Sequence, residues 1–552
     1  MERLRQPMGQ MDKKFKCRIQ MNNNHSSNNG LNKISGYPFI TIYIIRKLLN
    51  ALKKNILLYR FIFTIPVFTV SLLAGSIKVY ADTLYVGTST VDITPELPVA
   101  LDGQMHLRIA REVGTPLEAN IAVLESRHKN KPVETSVFVS CDLVVIPSEM
   151  LYQVKYEVHK LLPGFNTDKI VMNAIHTHTA PVVRAGVYPI PEKDVTQIED
   201  YYSFFAKKIG RAIKQAWDSR KPGNVTWGLS QAKVGYNRRA VYADNSAKMY
   251  GKTNIPEFRG IEGYEDQNVN SLFFWDKQGE LIAVGIAVAC PAQEVEERYE
   301  INADYWHPVR LSLRKRFNSR LCVLGWIGAA GDQSPHLMYG KAGEERMRNL
   351  RHLSRLDEIA RRIVFAVEDT YEVVKTDRHN DIQLIHETKD MSLPMRLITK
   401  TEYKASQKEI KKLEAQINAD PKAKDRLFRK LNSFEGDVIR RYEQQKIQPA
   451  PMYNAKIHVI RIGDIVICTN PFELFTDYSI AIQARSKAVQ TFVVQLAGPG
   501  TYLPTEKAVK GGHYSAIAQS NLVGPEGGQL LVDQTVELIN KLWNVSYNQK
   551  VN

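Results

Sequence analysis

The stretch Asn173-Ala174-Ile175-His176-Thr177-His178-Thr179-Ala180-Pro181 follows the apolar run Ile170-Val171-Met172 and reads as a buried strand spilling into a loop. If the backbone stays extended there, side chains repeat every two residues, so His176 and His178 point to the same side. Two imidazoles on one side can hold one metal ion, or one metal ion and one substrate; a pair of ordinary loop histidines gives the same spelling. The surrounding chain decides between these readings.

Upstream, Ala119-Asn-Ile-Ala-Val-Leu124 and Ser136-Val-Phe-Val-Ser-Cys141-Asp142 read as neighbouring core strands. Ser148 then starts a helix whose apolar positions Leu151, Val154, Val158 and Leu161 follow the helical period, and Pro163-Gly164 ends it. Strand, helix, strand and then the histidines is the order of a β-α-β unit, in which ligands gather where strands end and loops begin. The expected fold class is therefore α/β.

The chain has 552 residues, 44% hydrophobic and 24% charged, as a globular protein does. Its net charge of +16 is concentrated at the start, where residues 1–81 hold 13 Lys and Arg against 2 Asp and Glu. The remainder carries 61 against 56 and shows no basic stripe with interleaved aromatics, so no nucleic-acid partner is expected. Lys53, Lys54 and Arg60 precede the apolar run 61–74, and Val79-Tyr80-Ala81 supplies small residues for a signal peptidase. The expectation is export, secreted or periplasmic, with cleavage after Ala81 and no membrane span retained. The Asn- and Lys-rich residues 1–45 make a long prefix for a signal peptide and suggest a start placed too far upstream. Cys141, Cys290, Cys322 and Cys468 are too sparse for a disulfide scaffold, and three of them sit inside strand-like runs as buried thiols.

Downstream, 201–217 reads as a helix with an aromatic core stripe, and Asn237-Arg238-Arg239 as a turn whose arginines are solvated or clamp an oxygen. A hairpin spans 271–275 and 281–289; its second strand runs into Cys290-Pro291-Ala292-Gln293, either a buried thiol or a site residue. Strand 321–327 ends in Gly328-Ala-Ala-Gly331-Asp332-Gln-Ser334-Pro335, where small residues let a ligand approach the backbone. One long helix is expected over 344–374, and a charge-dominated helical excursion over 399–445, a lid or a solvated face. Strands at 457–462, 465–469 and 491–496 bring Glu473 and Tyr502 to strand ends, and a helix over 529–543 closes the domain.

At these residues the chain resembles the neutral, non-lysosomal ceramidases. The resemblance rests on Val86-Gly-Thr-Ser-Thr-Val-Asp-Ile-Thr-Pro95, Val137-Phe-Val-Ser-Cys-Asp142, His176-Thr-His-Thr-Ala-Pro181, Gly331-Asp-Gln-Ser-Pro335, Asn470-Pro-Phe-Glu473 and Tyr502-Leu-Pro-Thr505, in that order over nearly all of residues 82–552. It implies a Zn2+ ion on His176, Glu473 and Tyr502, with Cys290 standing where the family has a second histidine; thiolate is a sound zinc ligand but weakens the ion as a Lewis acid. It implies Ser334 of the Gly-Asp-x-Ser-Pro turn, with Asp332, as the nucleophile's segment, His178 as the group that binds or polarises substrate, and Asn237-Arg238 on the reacting amide. The resemblance implies a mixed β-sheet core flanked by helices in one large catalytic domain; with the chain ending soon after Trp543, the family's C-terminal β-sandwich is not expected. The expectation is an exported zinc-dependent hydrolase of an N-acyl or related bond in a small or lipid-like substrate. Its alternatives are a non-catalytic binding protein of the same fold and a hydrolase of an ester or carbohydrate-derived substrate.

Overall fold

Strands apolar on both faces have to be covered on both faces, and this chain does so by stacking two mixed sheets. The computed structural model describes residues 82–544, so the leader, its cleavage point and the export reading lie outside the described residues. The first sheet contains β1 (Thr83–Asp92), β2 (Glu118–His128), β3 (Lys131–Cys141), β4 (Ile170–Ala174), β5 (Lys221–Gln231), β6 (Asn268–Asp276), β7 (Leu281–Val288) and β8 (Cys322–Ile327), in the order β8-β7-β6-β5-β1-β2-β3-β4. The β3–β4 and β7–β8 pairs are parallel and the rest antiparallel. The second sheet takes β9 (Leu384–Pro394), β10 (Met452–Ile462), β11 (Ile465–Thr469) and β12 (Gln490–Val494) in chain order, with β11–β12 parallel.

The period of two along each strand sorts its residues between layers. Val86, Leu124, Phe138, Val171 and Leu324 meet Ile460, Ile462, Ile465, Ile467 and Phe492 between the sheets. Their neighbours Ile121, Val123, Val139 and Met172 turn outward against α1 (Ser148–Leu161) and α2 (Ile198–Asp218). Val284, Ile286 and Val323 pack beneath α3 (Trp306–Arg316), and Ile457, Val459 and Val466 beneath a C-terminal helix, Pro525–Leu542. The architecture is helix, sheet, sheet, helix. Each fully buried Leu or Ile contributes about 1.5–3 kcal/mol, so the sheet–helix layers and the layer between the sheets all contribute to stability. No helix among the described residues is long and apolar enough to cross a membrane.

The helix expected over 344–374 is two helices, α4 (Lys341–Leu350) and α5 (Arg355–Val374). His352 takes a left-handed backbone with φ 55°, and Ser354 caps α5, its hydroxyl accepting the Asp357 N–H in a reciprocal capping box. The excursion is built of α6 (Lys400–Ala419), α7 (Ala423–Arg429), a π-helical turn at Lys430–Glu435, and α8 (Gly436–Ile447).

Between the sheets lies a chain of buried polar groups: Ser136 Oγ is 3.0 Å from His386 Nδ1, and His386 Nε2 is 2.9 Å from His458 Nδ1. Burial pushes His458 down to about 3 and His386 well below the imidazole range. The unfolded chain therefore binds protons that the native protein refuses, so this contribution is complete above pH ~6.5 and is lost as pH falls toward 3, by up to about 1.4 kcal/mol per pH unit for each histidine. Urea unfolding at pH 7 and pH 5 should show that loss in the wild type and less of it in His458→Gln. An equal loss in both would remove the pair from the explanation.

Candidate active site

The parallel strands β3 and β4 end together, with Cys141 opposite Ala174, so the segments after them leave the sheet side by side. Ile175 N–H donates to Cys141 O at 3.0 Å and His176 N–H to Leu143 O at 2.9 Å. The strand has therefore ended before the histidines. His176 sits at φ 66°, a left-handed conformation uncommon for a residue with a Cβ, of the kind that clusters at functional sites. This bend, and not strand alternation, brings the two rings to 4.8 Å.

His176 Nδ1 donates to the Val144 carbonyl at 2.8 Å, which leaves Nε2 as an acceptor, 3.3 Å from His178 Nε2. Nε2 also lies 3.5 Å from Glu473 Oε2. Burial holds His176 down to about 4, against the pull of Glu473. Glu473 is paired with Tyr502 in a two-stranded parallel bridge, Glu473–Leu474 with Tyr502–Leu503. Gly331 N–H bonds Leu474 O at 2.8 Å, and a Cβ at Gly331 would stand 2.3 Å from Glu473 O, so this approach requires glycine.

Buried Arg238 ties these parts together. Its Nη2 donates to Tyr502 Oη at 3.2 Å and to Gly331 O at 2.9 Å; Nη1 reaches Tyr250 Oη at 3.0 Å and Gln293 Oε1 at 3.3 Å. With its oxygen spent on Arg238, Gln293 presents its amide N–H to His178 Nε2 at 2.7 Å. That assignment makes His178 Nε2 an acceptor and places the ring proton on Nδ1, 2.8 Å from Glu296 Oε2. Burial works to raise Glu296, but the His178 imidazole overcomes it and holds the carboxyl at about 2. Gly103, at φ 103°, lets the neighbouring loop pass His178; a Cβ there would meet His178 Cγ at 2.3 Å. A cleft of about 650 Å3 lined by Tyr250, Glu296 and His336 opens beside this group.

The remaining expected residues lie differently. Cys290 does not join the histidines: its N–H turns back to Val288 O at 2.9 Å, and its thiol faces Val234 O at 3.5 Å within the apolar layer under α3. Burial, reinforced by Asp304, pushes that thiol well above its ordinary range, so it is no thiolate. Gln293, three residues on, reaches the site in its place. Asp332 is tied down on both oxygens: Oδ1 accepts the Thr476 N–H and hydroxyl at 2.9 and 2.8 Å, and Oδ2 the Asn237 amide at 2.9 Å. It joins three segments of the site and holds their positions. Ser334, in a short bridge with Tyr236, accepts the His336 N–H at 3.2 Å, and among the described residues no imidazole or carboxylate hydrogen-bonds its hydroxyl.

The sequence reading did not single out Gln293, Glu296 or Tyr514. Glu296 sits within the run Glu294-Val-Glu-Glu297, which reads as a solvated face. Tyr514 lies edge-on to Tyr502 at 5.7 Å, and Phe434 from the π-helical turn stacks on Tyr514 with rings 3° from parallel. The excursion is thus one wall of the site; π-helical turns recur at functional positions.

Among the described residues no three His, Cys, Asp or Glu side chains form a group that could hold a metal ion. The donors that could hold one include a phenol: His176 Nε2, the Glu473 carboxylate and Tyr502 Oη. A histidine donating Nδ1–H to a backbone carbonyl presents its Nε2 as metal-bound histidines do, and facing acceptors are what a cation satisfies. By donor chemistry these three fit one divalent ion with an open position, without Cys290.

No family model matches the chain, and no curated protein matches it. Solved structures do. The crystal structure of neutral ceramidase from Pseudomonas aeruginosa is 17% identical, with a TM-score of 0.59 over 83% of this chain and 75% of that one. A ceramidase complexed with C2 is 16% identical, with a TM-score of 0.58 over 83% and 76%. At these identities the likeness shows a shared fold.

Proposed function

We propose that this chain, built on the fold of neutral ceramidase, is an exported metal-dependent hydrolase that cleaves an amide of an acyl chain. The observation that carries the reading is the convergence of donors, His176 Nε2 facing Glu473 Oε2 at 3.5 Å, with Tyr502 and Arg238 beside it. His176, Glu473 and Tyr502 would hold zinc, which supplies polarisation of the scissile carbonyl and activation of water. The chain's own groups do the rest. Arg238 is fixed by neutral oxygens, with no carboxylate among its hydrogen-bond partners, so its charge is available to the oxygen that becomes negative as the carbonyl is attacked. His178, with Glu296 behind Nδ1, can take a proton from the attacking group on Nε2 once the Gln293 amide gives up that nitrogen, and return the proton to the leaving amine. Water is the attacking group in this reading, because no base touches Ser334.

Chelation is expected to abolish hydrolysis of N-acyl amides and added zinc to restore it, with about one zinc per chain by elemental analysis. His178→Ala should keep the metal and lower kcat by about 10²–10⁴. Full activity in a metal-free preparation would sink the mechanism.

A further inference from the structure

Resting on the hydrolase reading of this site, we propose that the substrate carries a carboxylate close to its scissile amide, as an N-acyl amino acid does, and that Arg184 and Arg429 bind it. The two guanidinium groups share Asp102, whose side chain is fully buried. Arg184 spans it, Nε to Oδ2 at 3.1 Å and Nη2 to Oδ1 at 2.8 Å. Arg429 of α7 approaches the same carboxylate to 4.0 Å, and its Nη1 hydrogen-bonds the Tyr188 hydroxyl and the Gln104 carbonyl. Two positive charges thus stand against one negative charge, and Arg429, 9% exposed, spends its hydrogen bonds on neutral oxygens. A buried cation without an anion of its own is costly, and an arriving anion offsets that cost.

The cluster is open on its cationic side: the Arg184 side chain is 34% exposed while Asp102 is sealed beneath it. It also adjoins the reaction centre. Asp102 is followed by Gly103, which packs against the His178 ring, and the Asp102 N–H donates to Ala180 O at 3.0 Å, just past the two histidines. A neutral polar headgroup has no use for two guanidinium groups beside the His178 loop. A carboxylate does, since the planar guanidinium fork suits it and charged hydrogen bonds are the strong ones.

The test is binding of two non-cleavable ligands to the full chain: the ketone isostere of N-lauroylglycine, with a methylene in place of the amide N–H, and its carboxamide. The acid is expected to bind at least about tenfold more tightly, and Arg429→Gln to bring the two within about twofold. Arg429→Gln leaves the Arg184–Asp102 pair intact, and thermal melting checks its fold. Equal binding of the two ligands by the wild type overturns the proposal, as does an unchanged preference in a folded Arg429→Gln. A preference for the acid without hydrolysis of N-lauroylglycine would retain the carboxylate site and defeat the hydrolase reading, so the two fail separately.

Discussion

His176→Ala is expected to abolish amide hydrolysis, by at least about three orders of magnitude, the scale on which loss of a stabiliser of developing charge is felt. The fold should survive. In the native protein the imidazole makes one hydrogen bond to the backbone, Nδ1 to Val144 O, and such a bond is worth about 1 kcal/mol. Nε2 faces the Glu473 carboxylate at 3.5 Å and His178 Nε2 at 3.3 Å, a crowding of acceptors that alanine relieves. The expected result is a protein with an almost unchanged melting temperature, no hydrolysis, and metal content well below one per chain. A variant that retains its metal would move the ion away from His176.

Arg310→Met is expected to cost about 3–5 kcal/mol, because it strips a buried carboxylate of its partner. Arg310 of α3 grips Asp142 with both terminal nitrogens, Nη1 to Oδ2 at 2.6 Å and Nη2 to Oδ1 at 2.7 Å, and both side chains are sealed from solvent. Asp142 is the first residue past β3, and the carbonyls just beyond it, Leu143 O and Val144 O, hold the backbone and ring of His176. The loss should therefore appear both in urea unfolding and in activity. Arg310→Met/Asp142→Leu should regain most of the stability, since an apolar pair replaces a buried ion pair at little net cost. A single variant losing less than about 1 kcal/mol would show the pair to be better hydrated than its burial indicates.

Strand ends were legible in the sequence because apolar runs stop abruptly at polar residues. On that signal His176, Glu473 and Tyr502 stand out, and the structure brings them together; Asn237-Arg238, read as a turn, entered only through the resemblance. Side-chain direction was less legible. Cys290 occupies a strand end like the others, but whether it faces the site or the core depends on the backbone turn at Cys290-Pro291, which periodicity does not specify. The break between α4 and α5 carries a readable capping signature, Ser354-Arg-Leu-Asp357, that the continuing apolar rhythm of Leu350, Leu353 and Ile359 hides. Glu296, Gln293, Arg184 and Arg429 acquire their partners through contacts far apart along the chain, and no local pattern marks them. The same holds for Asp332, whose residue type suits a turn and whose three hydrogen bonds are all to distant segments.

The bridge that pairs Glu473 with Tyr502 also sets a timetable. His176 comes early in the chain and its two companion donors late, just after strands of the second sheet. The proposed centre would therefore close only when the second sheet has formed, and activity would report that folding has reached its end.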